Sequence, residues 1–141
     1  MSDREKFEAF KEKLVKENEE KYGEEIRRKF GDEEIDASNR KVRNMSEEDW
    51  KEFRSLEKEI LTRLREGIKK GILPESGEAR EIVLLHREWL GKTWKQYTKE
   101  AHKALAAAYT ADERFKRYYD RETEGCAKLL KNAVQYWADR I

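Results

Sequence analysis

The residues able to do chemistry in this 141-residue chain are few: two histidines, one cysteine, and many carboxylates scattered among lysines and arginines. His86 and His102 are sixteen positions apart and fall on different predicted helices, so a shared metal ion would need two further ligands that no spacing announces. There is no Gly-rich phosphate loop, no paired-cysteine motif and no HExxH. His86 interrupts an otherwise apolar helix, where it reads first as a hydrogen-bonded core residue and second as a polar contact to a ligand. Cys126 lies in an apolar stripe and reads as a buried, inert thiol. Most carboxylates fall on solvated helix faces, so acid–base catalysis ranks last among the functions weighed, and no catalytic residue, metal or cofactor is assigned.

Totals narrow the class. The chain has 32 basic and 31 acidic residues, a formal net charge of +1, and is 37% hydrophobic against 45% charged, with a mean hydropathy of −1.14. A balance so near zero argues against a polybasic nucleic-acid domain. No run approaches a membrane span, the first residues lack the apolar stretch of a signal peptide, and one cysteine makes no internal disulfide. A reducing cytoplasm is the expected location.

The elements that hold these residues read as helices throughout. Trp50, Phe53, Leu56, Ile60, Leu61, Leu64 and Ile68 form one stripe over residues 46–70, opened by "SEED" as a capping box and closed at Gly71. A wider apolar arc over 77–92 carries Ile82, Val83, Leu84, Leu85, Trp89 and Leu90. Further helices are predicted near 98–109 and 122–139. "TADE" reads as a second capping box, with Thr110 as the N-cap of a short helix bearing Phe115, Tyr118 and Tyr119 on one side. The first 45 residues differ, with Phe7, Phe10, Leu14, Tyr22, Ile26 and Phe30 as sparse anchors in a run of charge. They predict two short helices broken near Gly23 and Gly31, a mobile N-terminal arm beside a helical core over 46–141.

The order of four motifs, "KYGEEIRRKFG", "MSEEDW", "HREWL" and "YTADERF", resembles the TipAS antibiotic-recognition domain family over essentially the whole chain. The resemblance implies an all-α, globin-like fold that holds no haem, and a cleft for large heteroaromatic antibiotics of the thiopeptide or albicidin type. It implies that the arm, with Phe7, Phe10, Tyr22, Ile26 and Phe30, closes as a lid when ligand arrives. Family regulators of the MerR type carry a winged helix-turn-helix and a coiled coil ahead of this domain; this chain shows neither, so no direct DNA binding is expected of it. A thiopeptide-capturing member uses a cysteine that aligns with Ala104 here, and a second family cysteine aligns with Tyr97. Alanine offers no nucleophile, so binding is expected to be reversible and non-covalent.

The same alignment sets Tyr97, Ala101, Ala104 and Ala108 along one helical stripe. The three alanines read either as the floor of a shallow aromatic-sided groove or as a seam where two helices pack closely. With the groove, the candidate ligand contacts are Trp50, His86, Trp89, Trp94, Tyr97, Ala101, Ala104, Ala108, Tyr109, Phe115 and Tyr119. The leading expectation is a ligand-binding protein that sequesters or senses a drug. The alternative is an effector module acting by protein–protein contact, for example with a full-length MerR-type regulator. Weak nucleic-acid binding through Arg114, Lys116, Arg117 and Arg121 is a third possibility, diluted by the neighbouring acids.

Overall fold

The structure, a computed structural model, describes residues 2–141 and contains seven helices and no strand among them. They are α1 (Asp3–Phe30), α2 (Asp32–Arg43), α3 (Glu47–Lys70), α4 (Gly77–Gly91), α5 (Lys99–Ala111), α6 (Glu113–Asp120) and α7 (Cys126–Trp137). The described residues divide into two compact units, one of residues 2–53 with 91–96, the other of residues 54–90 with 97–141.

In the first unit α1 runs unbroken for 28 residues, opened by the Ser2 hydroxyl accepting from the Glu5 amide. The break expected at Gly23 is absent. Without a Cβ there, the Glu19 carboxylate lies along the helix, its Oε2 in the space a Cβ would take, while Arg27 and Asn39 Nδ2 (2.9 Å) donate to it. Gly31 does break the chain, at φ +90, and its amide closes α1 on the Arg27 carbonyl at 2.8 Å. Asp32, Glu33 and Glu34 open α2 and Arg40, Lys41 and Arg43 close it, each set complementing the helix dipole. Arg27 joins the two helices by pairing with Glu19, Asp32 and Asp36. Lys11 is buried and donates to the carbonyls of Arg43 (2.6 Å) and Met45 (2.8 Å), so its ammonium caps the C-terminus of α2. Among the described residues only Val15, Ala37, Met45 and Phe53 are buried hydrophobics of this unit.

The second unit holds the main core. Leu56, Ile60, Leu61 and Leu64 of α3 are buried as their spacing predicts, as are Ile82, Val83 and Leu90 of α4 and Leu129, Leu130, Ala133 and Val134 of α7. Ser46 caps α3 (3.1 Å to the Asp49 amide), and Gly71, at φ +68, ends it. Ile72 then folds back so tightly that a Cβ on Gly67 would sit 2.8 Å from its Cδ1. Two boundaries depart from the sequence reading. Thr110 caps nothing: α5 runs on to Ala111, the Thr110 hydroxyl donates to the Ala107 carbonyl, and Asp112 caps α6 by accepting from the Arg114 amide at 2.9 Å. The last helix starts at Cys126, because Gly125 at φ +98 forces a turn and the Asp120 carboxylate, not a capping residue next door, accepts from the Ala127 amide at 2.8 Å. Cys126 is buried, and burial pushes its thiol up to about 11.

Candidate functional site

The buried face of α5 is set by His102, Ala106 and Tyr109, spaced four and three apart, and α4 brings His86 against it. The imidazoles stack with ring centres 4.9 Å apart and share a hydrogen bond of 2.7 Å between His86 Nδ1 and His102 Nε2. On one side the Tyr97 hydroxyl meets His102 Nδ1 at 2.6 Å; on the other, His86 Nε2 meets the Tyr109 hydroxyl at 3.2 Å. Tyr109 continues the chain to Tyr119.

One proton per imidazole satisfies every link, whichever way the chain of donors runs. A second proton on either ring would set N–H against N–H at the central bond or strip an acceptor from a neighbour. Burial lowers His86 well below the ordinary histidine range, aided by His102, and brings His102 down to about 4, with the Arg87 cation contributing. Both rings are therefore neutral in the fold. The 2.7 Å separation is a hydrogen bond and too short for two nitrogens held about 2.0–2.1 Å from one zinc ion at tetrahedral angles.

Around this chain lie other residues singled out in the sequence. Tyr109 packs on Phe115 (5.4 Å) and Tyr119 (4.6 Å), and His86 on Trp89 (5.6 Å). Burial raises the Tyr109 hydroxyl far above the phenol range. Between them remains a void of about 10 Å³, lined by Glu57, Ile60, Leu61, His86, Trp89, Tyr118 and Tyr119, room for one water at most. Ala101, Ala104 and Ala108 lie on the adjoining, half-buried face of α5, about one residue's rotation from the buried one. Tyr97 is half-buried before that helix, with the Arg87 guanidinium 5.3 Å from its ring centre.

The remaining candidates belong to the first unit. Trp50 gathers Phe7 (6.2 Å), Phe10 (5.5 Å, edge-on) and Phe53 (5.6 Å). Trp94 packs on Phe30 at 6.2 Å, and its carbonyl accepts from Lys41. Tyr22 and Ile26 are half-buried along α1. The sequence thus named both aromatic groups but missed three polar residues that organise them: His102 as the partner of His86, Glu57, and Lys11. His102 was legible, since 102, 106 and 109 share a helical face. Lys11 was not, because nothing in a run of alternating charge marks the one lysine that turns inward.

Comparison with known proteins agrees with this architecture. The TipAS antibiotic-recognition domain matches residues 22–137. The HTH-type transcriptional activator mta of Bacillus subtilis is 25% identical over 143 residues, covering 99% of this chain and 53% of mta. The HTH-type transcriptional activator TipA of Streptomyces coelicolor is 27% identical over 131 residues, covering 92% of this chain and 50% of TipA. The chain spans about half the length of these curated relatives. Among solved structures, TipAS of Streptomyces lividans in complex with nosiheptide superposes with a TM-score of 0.71 at 27% identity, covering 86% of each chain.

Proposed function

This chain belongs to the TipAS antibiotic-recognition domain family, and from that premise we propose that it binds a large aromatic or peptide antibiotic, of thiopeptide or related type, and so sequesters or senses the drug. The observation that carries the reading is the structural match to TipAS holding nosiheptide, which extends over 86% of both chains. Two features of this chain's own residues support binding without a covalent bond. Tyr97 and Ala104 stand where the family resemblance sets cysteines, and the thiol that is present, Cys126, is buried and held protonated. The same scarcity of activated groups supports a binder rather than an enzyme, and a place in the cytoplasm fits relatives that activate transcription.

The candidate ligand contacts are, within one unit, Trp89, Tyr97, Tyr109, Phe115 and Tyr119 with the alanine face and His86 as a polar contact, and, within the other, Trp50 and Trp94; Phe7, Phe10, Tyr22, Ile26 and Phe30 are the candidate lid. Where the void is about 10 Å³, an antibiotic enters only by displacing side chains, so binding is coupled to rearrangement and slower than diffusion. The test is intrinsic tryptophan fluorescence titrated with thiostrepton, nosiheptide, albicidin and several planar drugs, beside thermal melting. Saturable quenching with a raised melting temperature is expected. Silence from a folded protein across that panel favours the second reading, an effector module acting through protein contact, which the half-length match to two transcriptional activators supports. Co-purification with a DNA-binding regulator tests that alternative.

A further inference from the structure

Glu57 and Leu61 line two spaces at once in the second unit. On their inner side is the small void against His86, Trp89, Tyr118 and Tyr119. On their outer side is an open groove of about 360 Å³, within the size of small-ligand sites. The wall between the two is thin: a leucine, and a half-buried carboxylate that accepts a hydrogen bond from the Tyr118 hydroxyl.

The outer groove is cationic on a molecule whose charges otherwise nearly cancel. Arg54, Lys58 and Arg65 stand along one face of α3 at spacings of four and seven, and Arg121 faces them from the turn after α6. Glu122 meets Arg65 at 2.6 Å, and Glu57 meets Arg54 at a looser 3.6 Å. Among the described residues, no ion pair reaches Lys58 or Arg121. Arg121 instead lies over the Tyr118 ring, 5.1 Å from its centre, so that one aromatic ring joins the cationic groove to the inner void.

We infer that this groove is the mouth of the aromatic interior and selects planar aromatic ligands that carry an anionic group. The anion rests on Lys58 and Arg121, while the ring system displaces the Tyr118–Glu57 contact and slides in beside Trp89 and Tyr119. The inference rests on the antibiotic-binding reading only in taking the ligand to be planar and aromatic; the charge requirement comes from the groove.

A matched pair of fluorescent probes tests it: 1-anilinonaphthalene-8-sulfonate and N-phenyl-1-naphthylamine, which share a ring skeleton and differ in the sulfonate. On the folded protein at low salt, the sulfonate is expected to bind roughly tenfold more tightly than the neutral probe, the scale of two exposed charge contacts, with the preference shrinking in about 0.5 M NaCl. The variant K58Q/R121Q should lose that preference while keeping its affinity for the neutral probe. Glu57→Gln, which removes the opposing charge but still accepts from Tyr118, should tighten sulfonate binding severalfold. Both variants change exposed or half-buried groups, and an unchanged melting curve checks that each folds.

Equal affinity for the two probes, or a preference that survives K58Q/R121Q, overturns the groove. If the antibiotics bind while that happens, the family reading stands and this one falls. A sulfonate preference with silent antibiotics does the opposite, upholding the groove and counting against the antibiotic. Failure of either probe to bind saturably also overturns the groove.

Discussion

The two units of the chain are held together by different means. In the second, helices bury leucine, isoleucine, valine and alanine against one another, and even its histidines lie fully inside. In the first, four of the described hydrophobic residues are buried, and ionic anchors join α1 and α2: Lys11 on two carbonyls, Arg27 among three carboxylates, Arg43 on Glu12. Hydrophobic burial stabilises in proportion to area, whereas partly exposed ion pairs contribute little each. Among the described residues the first unit is thus the one that carries less buried apolar surface.

The largest expected effect is a core deletion in the second unit. Leu130 is fully buried, and Leu130→Ala should cost about 3 kcal/mol and lower the melting temperature by roughly 10 °C. A comparable loss on replacing Phe10, a residue 47% exposed, by Ala would erase the contrast between the units.

Next comes acid. His86 and His102 are neutral when folded and take protons readily once unfolded, so stability is at its full value above about pH 6.5 and falls as the pH drops towards the folded His102 value of about 4. Urea melts between about pH 7 and pH 4 measure the slope, and the variant H86Q/H102Q should flatten it. An unchanged slope would show that the histidine pair does not carry the acid sensitivity of that window, because carboxylates such as Glu19 and Asp139, lowered by their basic partners, lose stability only at lower pH.

Lys11→Met should cost about 1–3 kcal/mol, by leaving the Arg43 and Met45 carbonyls without their donor. Hydrogen exchange sharpens the comparison: amides of α1 and α2 should lose protection, while those of α7 keep it. The smallest change is Arg27→Gln, which should make exchange in α1 faster at low salt and indistinguishable from wild type at high salt, since the side chain is part-exposed and screened.

Legibility followed the same division. Helix periods and burial from Leu56 to Leu64, and from Leu129 to Val134, were readable because apolar spacing and packing agree there. The break expected at Gly23 failed because a glycine in a helix signals either a stop or a vacancy, and only the Glu19 carboxylate filling that space decides which. Thr110 misled in a similar way, since a threonine followed by Ala-Asp-Glu satisfies a capping pattern whose actual cap, Asp112, sits two residues on. The aromatic candidates do gather, but their grouping around Trp50 and around Tyr109 depends on which helices meet, which no local pattern encodes.

The solitary thiol at the head of α7 gives the molecule a built-in clock. With one cysteine in the chain, sealed from solvent and protonated at neutral pH, alkylation by iodoacetamide proceeds only when the second unit opens. A second cysteine introduced at an exposed position of α1 would be labelled at once. The pair would then give from one sample, by mass spectrometry, the reagent's intrinsic rate and the rate at which the second unit lets it in.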